Sequence, residues 1–225
     1  MALTTPSPAP SPTMDSNDLP PGHARIVCRR CGNERFTPGT GTGIETCAHC
    51  KTIEGDILFD RLCPPAYRKT EPSKLPKSQL ERVLGWKPSP KGLLLTGPTG
   101  VGKTRMAWLL IEKLIRNHDI RSIKVFSCVS FGHELAKAYR EDEAEDWLES
   151  VCKAKLVFFD DLGKLKLTER AEAELFGVIE SRTSNELPII ATTNDTGETL
   201  ADRMSDNRGP ALIRRLRDFC DVITF

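Results

Sequence analysis

Hydrophobic and polar positions divide the chain into stretches of different kinds. Up to about Pro21 there is almost nothing apolar to bury; TTPSPAPSPTMDSNDLPP is Pro-, Ser- and Thr-rich. Such a segment cannot offset its ordering entropy, so residues 1–22 are expected to be a disordered tail, with Met14 a second possible start. From Lys91 to Phe225, short apolar runs alternate with stretches at helical spacing. Gly92–Thr96, Ser122–Ser127, Leu156–Phe159, Pro188–Asn194 and Asp221–Phe225 predict strands. Helices are predicted from Arg105 to His118, with Met106, Leu109, Leu110, Leu114 and Ile115 on one face, and over Phe131–Tyr139, Ala144–Lys153 and Leu212–Phe219. Another runs to about Thr183 behind Thr168 as N-cap, with Leu175, Phe176, Val178 and Ile179 inward. This alternation argues for a parallel sheet flanked by helices over residues 91–225. Residues 61–90 contain Pro64, Pro65, Pro72, Pro76, Pro88 and Pro90, and read as a Pro-rich linker with one short helix at Lys77–Gly85.

Residues 23–60 have few apolar positions, but they hold Cys28-Arg29-Arg30-Cys31 and Cys47-Ala48-His49-Cys50. Two C-x-x-C pairs at this separation match a four-thiolate zinc site, each pair turning two sulfurs toward one ion. Thr37 to Gly43 is expected to be a loop, and Ile53 to Asp60 a strand. A ribbon of roughly forty residues rarely folds on its core alone, and Zn²⁺ held by Cys28, Cys31, Cys47 and Cys50 is expected to hold it together. Four thiolates leave no open position for catalysis, and no thioredoxin-like βαβ unit surrounds either pair. Cys63, Cys128, Cys152 and Cys220 are scattered and read as small buried hydrophobes, His23 and His118 as surface residues.

The 39% hydrophobic and 28% charged content is ordinary for a globular protein. The net charge of +1 hides local asymmetry. Arg61 to Lys91 carries eight Lys or Arg against Glu71 and Glu81, whereas Glu134 to Glu149 carries seven acids against Lys137 and Arg140. A charge run is usually a solvated face, but a basic stretch beside a zinc ribbon also suits nucleic-acid phosphates. No apolar run approaches the ~18 residues of a membrane span, and the N-terminus lacks the basic and apolar regions of a secretory signal. A cytoplasmic location is expected, where cysteines stay reduced.

The sharpest signal is Gly97-Pro98-Thr99-Gly100-Val101-Gly102-Lys103-Thr104, which fits G-x-x-x-x-G-K-[ST] between a predicted strand and a predicted helix. Its glycines let backbone N–H groups approach phosphate oxygens at a helix N-terminus. Lys103 should reach the β- and γ-phosphates of ATP, and Thr104 should ligate Mg²⁺. In open α/β sheets ligands sit beyond the carboxyl ends of the strands, which brings Asp160, Asp161 and Asn194 to the same rim. Asp160 closes an apolar strand and should hold Mg²⁺ through water, while Asp161 can orient or deprotonate an attacking water. Asn194 can hold that water or the γ-phosphate, or simply shape a turn. Arg203, Arg208, Arg214, Arg215 and Arg217 crowd the C-terminal region; they form a solvated face, or one of them reaches a neighbour's γ-phosphate.

GPTGVGKT, LVFFDDLGK, IIATTN and ALIRRLRD together resemble the AAA+ ATPases of the DnaC/DnaI helicase-loader and IstB transposition-helper group, over roughly Lys91 to Phe225. The resemblance implies Walker A at Lys103 and Thr104, Walker B at Asp160 and Asp161, and sensor 1 at Asn194. It also implies an arginine finger at Arg215, ahead of Arg203 and Arg214, and a surface for single-stranded DNA near Phe131. The chain stops at Phe225, where the group continues toward a lid, so the expected fold is an α/β parallel-sheet P-loop AAA+ core without a lid, preceded by a zinc ribbon. The function implied is a partner-stimulated ATPase. It would act on a ring helicase in DNA replication, or on a transposase, as a homo- or hetero-oligomer with single-stranded DNA. A nucleic-acid module using ATP only as a conformational ligand is the alternative. A small-molecule kinase is disfavoured, because Asp160-Asp161 with Asn194 suits water as the nucleophile.

Overall fold

The computed structural model describes residues 22–38, 42–117, 119–164, 167–195, 197–202, 204 and 208–225. The expectations for the N-terminal tail, for residues 39–41, for His118 and for Arg203 fall outside them. The chain divides into two compact units, Met1–Ile57 and Leu58–Phe225.

The first unit contains β1 (His23–Cys28), β2 (Glu34–Pro38), β3 (Thr42–Glu45) and the start of helix α1 (Ala48–Leu62). The strands lie in the order β2-β1-β3, with β1 antiparallel to β2 and parallel to β3. The strand expected over Ile53–Asp60 is instead part of α1. Ile53, Ile57 and Phe59 alternate as a strand would, yet Ile53 and Ile57 also lie one helical turn apart, and so short a run does not decide between the two periods. The local turn decides it: Lys51 N donates to Cys47 O at 2.9 Å and begins the helical ladder.

The second unit continues through α2 (Pro65–Arg68), a 3₁₀ turn at Pro72–Lys74, α3 (Lys77–Gly85), β4 (Gly92–Thr96) and α4 (Lys103–Arg116). Then follow β5 (Ile123–Ser127), α5 (Cys128–Arg140), α6 (Ala144–Lys153), β6 (Leu156–Leu162), α7 (Glu169–Ser184) and β7 (Ile189–Thr193), and finally α8 (Gly197–Asp202), α9 (Gly209–Phe219) and β8 (Cys220–Thr224). The five strands are parallel, in the order β5-β6-β7-β4-β8. Alternate strand residues enter two cores, as the period of two requires. Leu93, Leu95, Leu156, Phe158 and Ile190 pack with α4, while Leu94, Val157, Phe159, Ile189 and Ala191 pack with α5, α7 and α9. Thr168 caps α7 as expected, accepting from Ala171 N at 3.3 Å. Arg182, wholly buried, donates to the carbonyls of Val151, Cys152, Ala154 and Pro188, tying the end of α6 to the start of β7.

Residues 61–90 are not a free linker. Cys63, Val83 and Trp86 are buried in the α4-side core, and the helix expected at Lys77–Gly85 is α3. Four of the six prolines start helical turns rather than break them, with Pro64 and Pro76 as N-caps and Pro65 and Pro72 in opening turns, positions where a missing N–H costs nothing.

Candidate functional site

β4 ends at Thr96, and the loop from Gly97 turns the chain into α4. Gly102, the N-cap of α4, has φ 96°, and a Cβ there would meet Leu75 Cδ2 at 2.6 Å. At Gly97 a Cβ would meet Phe225 at 2.9 Å. Only glycine suits both positions. Lys103 is 5% exposed, and its Nζ donates to Gly97 O (2.7 Å), Pro98 O (2.8 Å) and Asn194 Oδ1 (2.8 Å). Burial lowers its pKa, against the pull of Asp161 and Asp160.

The strand order explains how the remaining groups converge. β7 lies between β4 and β6, so its C-terminal residues stand between the phosphate loop and the acid pair. Thr104 Oγ1 donates to Asp160 Oδ1 at 2.7 Å, and so does Thr192 Oγ1 at 2.7 Å. Burial raises the Asp160 pKa, opposed by those two hydroxyls. Between Phe159 and Leu162 the β6–β7 register slips, and Asp161 takes φ 55°. Consecutive strand residues face opposite sides of a sheet; the bulge re-aims the pair so that Asp161 also reaches the rim. Lys164 Nζ meets Asp161 Oδ2 at 2.8 Å, which raises the lysine's pKa.

A cleft of about 990 Å³ opens over this rim. Its floor is Thr99 to Arg105 with Asp161, Lys164 and Asn194; its other wall is Ala66 to Pro76, part of the stretch expected to be a linker. Arg105 binds Ala66 O and Thr70 Oγ1 at 3.2 and 3.3 Å and lies 5.5 Å over the Tyr67 ring, joining wall to floor. The predicted residues Lys103, Thr104, Asp160, Asp161 and Asn194 therefore come together. Arg215 is not among the lining residues; it pairs with Glu180 on α7 and lies 6.0 Å from the Phe176 ring. Thr192, Lys164 and the Tyr67–Arg105 wall were not singled out from the sequence.

The family model of the IstB-like ATP-binding protein matches residues 69–225. The chain belongs to that family. A Geobacillus stearothermophilus protein of insertion sequence IS5376, named for ATP binding, is 31% identical over 117 residues, half of this chain and 45% of that protein. The chain spans less than half the length of the curated relatives it matches. Solved structures share the fold of this IstB-like core. DnaI matches with a TM-score of 0.59 at 19% identity, over 72% of this chain and 94% of that one. The DnaC helicase loader matches with 0.56 at 22%, over 74% and 98%.

Apart from the IstB-like core, the first unit gathers its own cluster. The ligand sulfurs of Cys28, Cys31, Cys47 and Cys50 all lie within 4.8 Å of one another. Cys28 and Cys31 flank the turn out of β1, and Cys47 and Cys50 sit at the start of α1, so two rigid local structures present two sulfurs each. Backbone N–H groups reach the sulfurs: Cys47 N donates to Cys28 Sγ at 3.3 Å and Cys50 N to Cys47 Sγ at 3.5 Å. The Cys47 and Cys31 amides lower the Cys28 pKa, while burial raises that of Cys50. The donor set is that of a closed tetrahedral thiolate site. All eight cysteines are free; Cys63, Cys128 and Cys220 are buried as expected and Cys152 half-buried. No helix among the described residues is long and apolar enough to cross a membrane.

Proposed function

We propose that the chain is a magnesium-dependent, cytoplasmic ATPase acting as a helper in DNA transposition, with a structural zinc ion on Cys28, Cys31, Cys47 and Cys50. One observation carries the reading: of the residues lining the cleft, Lys103 holds Asn194, Nζ to Oδ1 at 2.8 Å, and Thr104 holds Asp160, Oγ1 to Oδ1 at 2.7 Å. Lys103 exchanges its present acceptors for β- and γ-phosphate oxygens, and the amides of the Gly97–Thr104 loop cradle the phosphates. Thr104 and Asp160, a hydroxyl and a carboxylate already in contact, fit as holders of Mg²⁺. The chemistry such an ion would supply is neutralisation of the phosphate charge. Asp161 orients the attacking water and takes its proton, and Asn194 holds that water or the γ-phosphate.

Arg215 serves as the finger of a neighbouring copy, in a homo-oligomer or on a partner, once it leaves Glu180. Family membership and the insertion-sequence relative favour a transposase as the partner. The fold shared with the DnaC helicase loader supports a second reading, in which the partner is a replicative ring helicase and single-stranded DNA is the shared ligand. Phosphate release over a range of protein concentrations, with and without single-stranded DNA, tests the proposal. Slow turnover that rises with concentration and DNA, and is lost in Asp161→Asn and Arg215→Ala, is expected. Equal turnover at every concentration, unchanged in both variants, overturns it.

A further inference from the structure

The β6–β7 junction holds a residue that no phosphate-loop pattern singles out. Across the bulge, the partners Phe159–Ala191 and Leu162–Thr193 leave two residues of β6, Asp160 and Asp161, opposite the single residue Thr192. A bulge of this kind interrupts the ladder and leaves backbone groups in need of other partners. Two hydroxyls supply them. Thr192 Oγ1 accepts from Asp161 N at 2.8 Å and donates to Asp160 Oδ1 at 2.7 Å. Next to it, Thr193 Oγ1 donates to Leu162 O at 2.7 Å and accepts from Asp195 N at 3.1 Å. Thr192 is wholly buried, so no water competes for its hydroxyl.

A hydroxyl has one proton to give, and Thr192 gives it to the carboxylate. Among the described residues, the Thr192 and Thr104 donors both fall on the same oxygen, Oδ1. That fixes the carboxylate in rotation. It also ties the carboxylate to the backbone amide of Asp161, which stands at φ 55°, a left-handed conformation that aspartate adopts more readily than most residues.

We propose that Thr192 is the positioning residue of the magnesium site, holding both acids of the bulge through one hydroxyl, so that metal-dependent nucleotide binding depends on a side chain that touches neither nucleotide nor metal. The inference rests on the reading of the cleft as a Mg²⁺–ATP site. Groups that orient metal ligands from behind are worth about 10–100-fold in metal affinity.

Binding of a fluorescent ATP analogue, measured with and without Mg²⁺ on the full chain, tests it. In Thr192→Val, which keeps the shape and loses the hydroxyl, the gain in affinity that Mg²⁺ confers is expected to fall by about tenfold or more. Metal-free binding should stay within about twofold of the parent, and Thr192→Ser should restore the gain. Thr193→Val, which has no bond to either carboxylate, should keep the Mg²⁺ gain. A folded Thr192→Val with the parent's Mg²⁺ gain overturns the inference. Should that variant not fold, Thr192→Cys, a weaker donor of similar shape, carries the same expectation at about threefold, and a parental gain there overturns it equally. A parent chain that binds the analogue with no Mg²⁺ gain is a failure of the nucleotide-site reading instead, and the two failures are distinguishable.

Discussion

In the first unit, the apolar side chains that are buried among the described residues are those of Cys28 and Cys50, whereas the second unit encloses its sheet between two cores holding Trp108, Phe131, Phe158, Phe159 and many aliphatic residues. One unit gathers four sulfurs around a point, and the other packs apolar side chains on both faces of a sheet. The comparison separates two ways of making a fold specific. In the first, the cysteines proposed to bind metal include its buried apolar groups. In the second, the residues proposed to bind nucleotide are distinct from the cores: Lys103 and Asp160 are pushed toward their neutral forms by burial.

The largest expected effect lies in the first unit. Removing zinc with a chelator, or replacing Cys47 by Ser, should unfold residues 22–57, since metal binding in small zinc peptides is worth about 10–16 kcal/mol. Limited proteolysis and zinc content would read this out, with the thermal transition of the second unit unmoved. A protease-resistant first unit without metal would break the comparison. Next comes Phe158→Ala, which empties a fully buried site and should cost about 3–5 kcal/mol by denaturant melting while leaving zinc content unchanged.

The pattern of the sequence exposed much of this contrast, and where it did not the reasons are physical. The phosphate loop, the apolar runs and the cysteine pairs are local and strict, so Lys103, Thr104, Asp160 and the four sulfurs could be placed from spacing. Residues 61–90 were opaque because proline has two meanings. It ends a helix from within and opens one at the first turn, and only the burial of Val83 and Trp86 tells which applies. The bulge at Asp160-Asp161 was equally hidden. It depends on which strand becomes the neighbour, and Thr192 gains its partners only when β7 lies beside β6. Lys164 and the Tyr67–Arg105 wall leave no pattern either, since each matters through a contact rather than a motif.

Acid and alkali should separate the units in opposite senses. Zinc thiolates are protonated at low pH, so the first unit should release metal and unfold on acidification. In the second unit burial pushes Cys220 up to about 12 and Cys63 up to about 11. Both lie above the ordinary thiol value of 9.0, so the folded state retains protons that the unfolded chain loses. This stability is fully present below pH 9 and is lost as pH climbs toward the folded values. Melting curves from pH 8 to 11 should fall for the parent and fall less for Cys220→Ala. A parallel fall in both would remove the thiols from the explanation.

The smallest expected effects are at exposed ion pairs. Replacing Arg35, paired with Glu45 in the first unit, or Lys164, paired with Asp161, should change stability by less than about 1 kcal/mol. Lys164→Ala should nonetheless alter turnover, because its partner is the proposed base; a variant unchanged in both respects would make that pair incidental.

The central claim is that backbone amides, Lys103 and the paired acids form one nucleotide site at the carboxyl rim of the sheet. Isothermal titration of the full chain with ATP and Mg²⁺ tests it most directly, beside Lys103→Ala of matching melting temperature. One nucleotide per chain for the parent and none measurable for the variant is the expected result. Equal heats and affinities for the two proteins would contradict the account.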